Sequence, residues 1–164
     1  MPPKKKPTLA MVIVFGTLNA GSHDEKPAIV TGLTDDKEIC LWRSQVGCDE
    51  TAVNAATRCA NRHFRDIFPL LDSLPDIWEP RDLCLLDWFN TPNGRVEIFN
   101  LRWLMPEKLR YYSKGRMRFI PLDAQPEEFG PLERLTALIL ERLPGPSIQT
   151  QGGLMDYPAP PANT

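Results

Sequence analysis

The sequence predicts an α/β (α+β) domain in which a mixed β-sheet is sandwiched between helices. Three observations favour this class. Short apolar strands stand on both sides of a long amphipathic helix, and a second amphipathic helix follows the last strand. The chain has 164 residues, 42% apolar and 24% charged, which is typical of a globular protein able to bury a core. Elements in this order pack most naturally as a sheet with helices against its faces.

The strands are predicted from apolar, β-branched runs bounded by turn residues. The first run contains Val12, Ile13 and Val14. A Thr-Asp-Asp-Lys turn separates the second and third strands, and Asn93-Gly94 suits a turn that needs positive φ. The predicted strands are residues 8–18, 27–33, 38–42, 83–89, 96–104 and 116–122.

Two helices are predicted, at residues 49–68 and 131–143. In the first, Asp49 or Thr51 can serve as the N-cap, and Glu50 suits the first turn. Its apolar residues recur at steps of three and four, which places them on one helix face. They are Val53, Ala56, Ala60, Phe64 and Ile67. Residues 70–81 contain two prolines and are predicted to be irregular.

The composition predicts three segments: a flexible arm at 1–7, one folded domain at 8–143 and a Pro/Gly-rich tail at 144–164. No signal peptide is recognisable, and no apolar run reaches the ~18 residues of a membrane span. We therefore expect a cytoplasmic or otherwise intracellular protein with reduced thiols and no membrane partner. The four cysteines form no CxxC pair, which argues against a zinc ribbon.

A family resemblance lies in residues 41–58, which read Leu-Trp-Arg-Ser-Gln-Val-Gly-Cys-Asp-Glu-Thr-Ala-Val-Asn-Ala-Ala-Thr-Arg. This segment resembles the loop and helix of the Nudix box, because Glu50-Thr51, Ala55-Ala56 and Arg58 fall at that family's spacing. The first strand and the Pro-Leu-Asp turn at 121–123 are also similar to the family's. The resemblance implies a Nudix-like fold for residues 8–143.

Nudix enzymes hydrolyse nucleoside diphosphates linked to another group, with Mg²⁺ or Mn²⁺ held by carboxylates on the box helix. Here the matching positions carry Cys59, Arg62 and His63, so the family's carboxylates are missing. Hard divalent cations need oxygen ligands, and a guanidinium repels them. The resemblance therefore implies a degenerate box with no catalytic residue and no cofactor. Arg58 and Glu50 are expected to remain as a structural brace between loop and helix.

Two ways of retaining chemistry stay open. Cys59 and His63 are four residues apart on one helix face, as in a thiol–imidazole pair or two metal ligands, and Arg62 would favour a thiolate. Alternatively, Glu97 on a strand would contribute to a relocated metal site. In that case the chain would be a divergent Nudix hydrolase of a nucleoside diphosphate derivative that uses Mg²⁺ or Mn²⁺.

A basic segment at 102–118 is the main candidate binding surface, with six basic residues against one acidic residue, Glu107. Cationic side chains bind phosphates, and aromatic faces stack bases, which suits a nucleotide or RNA. The candidate ligand-binding residues are Trp42, Trp88, Arg102, Trp103, Lys108, Arg110, Tyr111, Lys114, Arg116 and Arg118.

Three functions follow in order of preference. The first is a Nudix-fold pseudoenzyme that binds a nucleotide, RNA or protein without hydrolysing it. The second is the divergent hydrolase. The third is a structural or assembly subunit without a ligand, in which a protein partner or a second copy of the chain would be bound.

Overall fold

The computed structural model of the chain describes residues 6–68, 77–113, 115–123 and 130–142. Two α-helices are present in these residues, α1 (Ala52–Ile67) and α2 (Arg134–Arg142). Two 3₁₀ helices lie at Pro80–Asp82 and Glu107–Ser113. The strands are β1 (Pro7–Leu18), β2 (Lys26–Leu33), β3 (Ile39–Cys40), β4 (Trp42–Gln45), β5 (Leu83–Thr91), β6 (Gly94–Pro106) and β7 (Arg118–Pro121).

The seven strands form one sheet in the order β3-β2-β1-β6-β5, with β4 paired to β1 and β7 paired to β2. Strands β1 and β2 are antiparallel. Strands β1 and β6 run in the same direction: the amide of Arg95 donates to the carbonyl of Lys6 at their beginnings, and Gly16 approaches the carbonyl of Met105 near their ends. The sheet is therefore mixed, and the predicted α+β class is confirmed.

The chain divides into two compact units, one of Met1–Ile13 with Trp42–Leu101 and one of Val14–Leu41 with Arg102–Thr164. Strand β1 begins at Pro7, so this residue of the predicted arm belongs to the sheet. The segments 1–5 and 143–164, which include nearly all of the predicted arm and tail, lie outside the described residues. The proposed boundaries at 7 and 143 stay predictions.

In the first unit, helix α1 packs against β4 and β5. The hydroxyl of Thr51 accepts a hydrogen bond from the amide of Asn54 at 3.2 Å, which confirms one of the two predicted N-caps. Glu50 therefore precedes the helix and does not lie in its first turn. The predicted stripe is buried except at Val53, which is half-buried.

In the second unit, β2 pairs with both β3 and β7, and helix α2 packs against β3. Helix α2 begins three residues later than predicted, because residues 131–133 pair with Ile39 instead. The Glu133 carboxylate then accepts bonds from the amides of Leu135 and Thr136, which satisfies the start of the helix. Position 16 in β1 requires glycine, because a Cβ there would lie 2.7 Å from the ring of Phe119, which is too close for van der Waals contact.

Three further predictions need correction. The single strand expected at 38–42 is two strands, because the amide of Leu41 donates to the hydroxyl of Thr136 at 2.8 Å. Residues 107–113 form a 3₁₀ helix that was not predicted. Strand β7 begins at Arg118 and not at Arg116, whose amide bonds back to Ser113 in a turn. Among the described residues, no helix is long and apolar enough to cross a membrane.

Candidate functional site

The loop before α1 is held to the helix by one arginine. The guanidinium of Arg58 donates to both carboxylate oxygens of Glu50, from Nε at 3.0 Å and from Nη2 at 2.8 Å. It also donates to the hydroxyl of Ser44 at 2.9 Å and to the carbonyl of Gln45 at 2.9 Å. The predicted brace between loop and helix is therefore confirmed, and it extends to the end of β4.

The carboxylate of Glu50 is itself part of the loop structure. Its Oε1 accepts a hydrogen bond from the amide of Gly47 at 2.9 Å, while the amide of Glu50 donates to the carbonyl of Gly47. The Arg58 hydrogen bond is the main cause that lowers the pKa of Glu50, and Glu50 raises the pKa of Arg58. Both groups are thus charged at neutral pH, as a bidentate pair requires.

Cys59 follows Arg58 on the helix and is completely buried. Burial raises the pKa of its thiol to about 12, although the guanidinium groups of Arg62, Arg58 and Arg43 oppose this shift. Arg62 does favour the thiolate, as expected, but the lowered pKa that a nucleophilic thiol needs is not reached, because desolvation exceeds the attraction of the nearby cations. A protonated, inaccessible thiol is neither a nucleophile nor a ligand for a hard cation.

His63 is half-buried and stacks on Trp42, with ring centroids 5.0 Å apart and an angle of 8° between the planes. Burial and then the Arg62 guanidinium lower the pKa of His63 to about 4, so the imidazole is neutral at pH 7. Because both Cys59 and His63 are neutral at this pH, the thiol–imidazole ion pair considered from the sequence is not present.

Arg62 stands one turn after Arg58 and is exposed. Its Nη2 lies 3.5 Å from the carbonyl oxygen of Arg43. The residues available on this helix face are thus a thiol, a guanidinium and an imidazole, which do not fit Mg²⁺ or Mn²⁺. Within the described ranges, no group of three or more His, Cys, Asp or Glu residues could hold a metal ion. Glu97, the candidate relocated ligand, is paired with Arg95.

A solved structure supports the fold that this loop and helix suggest. The chain aligns with a mutT/nudix family protein from Listeria innocua at a TM-score of 0.55 and 14% identity, over 94% of this chain and 99% of that one. The chain has the Nudix fold. No family model and no curated protein matches the sequence.

Two other solved structures are more distant. A MutT/nudix family protein from Enterococcus faecalis has 9% identity and a TM-score of 0.46, over 77% of this chain and 48% of that one. An Ap4A hydrolase from C. elegans has 9% identity and a TM-score of 0.36, over 94% and 96%. At these scores neither structure adds to the assignment of the Nudix fold.

The two tryptophans proposed to stack a base have different surroundings. Trp42 is only 3% exposed, with His63 on its face and the edge of Phe64 at a centroid distance of 5.7 Å. Its predicted role as a ligand-stacking ring is not supported, because the strand places it in the core. Trp88 is half-buried, and the guanidinium carbon of Arg95 lies 5.4 Å from its ring centroid.

The basic segment lies partly on β6 and mostly beyond it in the second unit. Arg102 and Trp103 are half-buried on β6, whereas the next candidates are exposed on the 3₁₀ helix and after it. These exposed candidates are Lys108, Arg110, Tyr111, Arg116 and Arg118. Lys114 lies outside the described residues. The basic segment therefore contains a group of exposed cations with an exposed tyrosine.

Sequence reasoning missed two kinds of residue. Ser44 takes part in the brace, yet a serine before a loop gives no distinctive signal. Asn61, which is 4% exposed, accepts bonds from the amides of Ile77 and Trp78 and donates to the carbonyl of Trp78. A polar residue on the buried face of a helix is the signal that could have identified Asn61 as a structural anchor.

Proposed function

We propose that this protein is a catalytically inactive member of the Nudix-fold group that binds a phosphate-bearing ligand, a nucleotide or RNA, without hydrolysing it. One observation carries the proposal. The Glu50–Arg58 brace that shapes the loop is present, while the next positions on the helix offer Cys59, Arg62 and His63 in place of carboxylates. The scaffold of the box is therefore kept without its metal-binding chemistry.

The physical reason concerns the charge on this helix face. A divalent metal neutralises phosphate charge and lowers the pKa of the attacking water, and both effects require the metal to be held by hard oxygen ligands. Here Arg62 places a positive charge on the face, and the two neighbouring groups are neutral at pH 7. A cationic face attracts phosphate but supplies no activated water.

The ligand class is inferred from the exposed cations of the basic segment. Its arginines and Lys108 can contact phosphate oxygens, and Tyr111, which is 80% exposed, offers an aromatic face. A local excess of positive charge on a chain with net charge −2 indicates a localised anion-binding surface, not a general polycation.

Calorimetric titration with Mg²⁺ or Mn²⁺, alone and with ADP-ribose, tests this proposal. We expect no metal binding at low-millimolar concentration, no phosphate-containing product, and phosphate-ligand binding that is independent of metal. Metal binding in that range with product release would overturn the proposal in favour of a divergent hydrolase. Absence of binding to ADP-ribose, mononucleotides and single-stranded RNA alike would instead favour a subunit without a ligand.

The Arg62→Gln variant locates the binding within the protein. Loss of phosphate-ligand affinity in this variant would place the ligand at the former metal face of α1. Unchanged affinity would place it elsewhere, with the basic segment as the next candidate.

A further inference from the structure

A cleft of about 410 Å³ opens between the 3₁₀ helix at Glu107–Ser113 and strand β7. Its lining combines two arginines, two aromatic rings, a serine and a methionine. The principal lining residues are Arg110, Tyr111, Ser113, Met117, Arg118 and Phe119. Its volume is at the small end of the range for ligand pockets, roughly 300–1,000 Å³, so it suits one compact ligand.

Both guanidinium groups are held in position by the protein. Arg110 is paired with Glu107 at 2.8 Å, and its guanidinium carbon lies 5.9 Å from the ring centroid of Phe119. Arg118 donates from Nη1 to the carbonyls of Gly115 and Met117, both at 3.2 Å. These bonds leave Nε and Nη2 of Arg118 without a partner among the described residues. Less side-chain freedom is lost when such a group binds a ligand.

Hydrogen bonds also hold the described residues on either side of position 114. The buried hydroxyl of Ser113 donates to the carbonyl of Arg110 at 2.7 Å, and the amide of Arg116 donates to the carbonyl of Ser113. Met117 and Phe119 are 2% and 8% exposed, so they form a packed apolar floor. The cleft therefore has a packed apolar base, with its two arginines exposed at the rim.

Among the described residues, one carboxylate is paired with an arginine of the cleft lining. Glu107 accepts from Arg110 through Oε2 and from the amide of Asn19 through Oε1 at 2.9 Å. Arg118 has no carboxylate partner in the described ranges. The lining residues include two arginines and no carboxylate, which favours an anionic ligand.

We propose that this cleft binds a mononucleotide-sized ligand, with its phosphate at Arg118 and Arg110 and its aromatic base against Tyr111. The proposal rests on the proposed function in one respect, that the ligand carries phosphate, and adds the site and the size class. A guanidinium binds phosphate through two parallel N–H donors, and an exposed tyrosine ring stacks on a base. The cleft's limited volume favours a single nucleotide over an RNA strand.

The test is calorimetric titration of the full chain with AMP at about 0.15 M ionic strength in a phosphate-free buffer. Adenosine and inorganic phosphate are titrated separately, so that the contributions of base and phosphate are resolved. The variants are Arg118→Gln and Tyr111→Ala, and Lys6→Gln is the matched control. Lys6 is exposed just before β1 and is not among the residues that line the cleft. Its substitution removes the same charge.

We expect Arg118→Gln to weaken AMP binding by about tenfold or more, as loss of a charge-assisted contact to phosphate predicts. Tyr111→Ala should weaken the binding of AMP and adenosine but not that of inorganic phosphate, and Lys6→Gln should change AMP affinity by less than about twofold. Circular dichroism of each variant checks that it is folded. These substituted side chains are exposed, so the fold is expected to be kept.

Three results would overturn the proposal. The first is that AMP does not bind. The second is that Arg118→Gln and Lys6→Gln weaken AMP binding equally, which indicates diffuse electrostatics. The third is that a single-stranded hexanucleotide binds far more tightly than AMP, which indicates an RNA surface. The proposed function is overturned by different results, namely metal binding with product release, or no binding of ADP-ribose, mononucleotides and single-stranded RNA alike. Failure of the cleft assignment is therefore distinguishable from failure of the proposed function.

Discussion

Replacing Arg58 with Ala should destabilise the protein by about 1–2 kcal/mol. The substitution removes four hydrogen bonds, two to the carboxylate of Glu50 and one each to Ser44 and Gln45. An exposed ion pair alone contributes about 0–1 kcal/mol, and each further hydrogen bond about 0.5–1.5 kcal/mol. The side chains of Arg58 and Glu50 are 48% and 23% exposed, so solvent screening keeps the total near the lower end of that sum.

The matched control is Arg62→Ala, one turn further along the same helix. Arg62 is exposed and has one contact at 3.5 Å, which exceeds the usual length of a hydrogen bond. Its loss should cost less than about 0.5 kcal/mol. Both variants exchange Arg for Ala inside α1, so the change in helix propensity is the same and cancels. Urea denaturation at pH 7 measures the two losses of unfolding free energy.

The pH dependence gives a second measurement of the same pair. The pKa of Glu50 is lowered in the folded protein, so the pair's stabilisation is fully present above the unfolded-state pKa of about 4.3. It is lost as the pH falls through the folded-state pKa. The difference between wild type and Arg58→Ala should therefore be constant from pH 7 to pH 5 and shrink below it. Two results would refute the brace as a source of stability. One is an equal loss of unfolding free energy in Arg58→Ala and Arg62→Ala. The other is a difference between wild type and Arg58→Ala that does not shrink in acid.

The other predictions concern buried groups on α1. An NMR titration should give His63 a midpoint near pH 4. Because the pKa of His63 is lowered in the folded protein, its contribution to stability is complete above about pH 6.5 and decreases as the pH falls towards 4. A midpoint above 6 would show that His63 is not buried against Trp42. Cys59 should resist a thiol reagent until the protein unfolds, whereas the exposed Cys48 should react at once; equal rates would contradict the burial of Cys59. Asn61→Ala should cost about 1–3 kcal/mol in urea denaturation, because it leaves backbone groups of residues 77 and 78 without their partner; a change under about 0.5 kcal/mol would mean that water replaces the side chain.

Local sequence patterns were sufficient for most of the secondary structure. The apolar run of β1 predicts a buried strand, and residues 10–15 are each no more than 1% exposed. Residue type predicted Thr51 as one of two N-cap candidates, and the resemblance of residues 41–58 to the Nudix box implied the brace. Each involves residues within one loop and the first turns of one helix. Such features are short-range, so the sequence that encodes them is contiguous.

The elements that were predicted wrongly depend on distant residues. The strand at 38–42 is interrupted at Leu41 by a hydroxyl on Thr136, which lies 95 positions away in the chain. The start of α2 moves because residues before it pair with Ile39. The short 3₁₀ helix at Glu107–Ser113 was also missed, since seven residues provide too little periodicity for recognition.

The sequence alone therefore determined the α+β class and the residue types that follow Arg58 on α1, because residue identity and spacing are sufficient for both. Tertiary structure decided the chemical state of Cys59 and His63. Cys59 and His63 stand four residues apart in either case, but only burial, and for His63 the packing against Trp42, makes them neutral at pH 7. It also joined residues 110–119 into one cleft, because a binding site depends on the path of the chain in space as well as on the order of its residues.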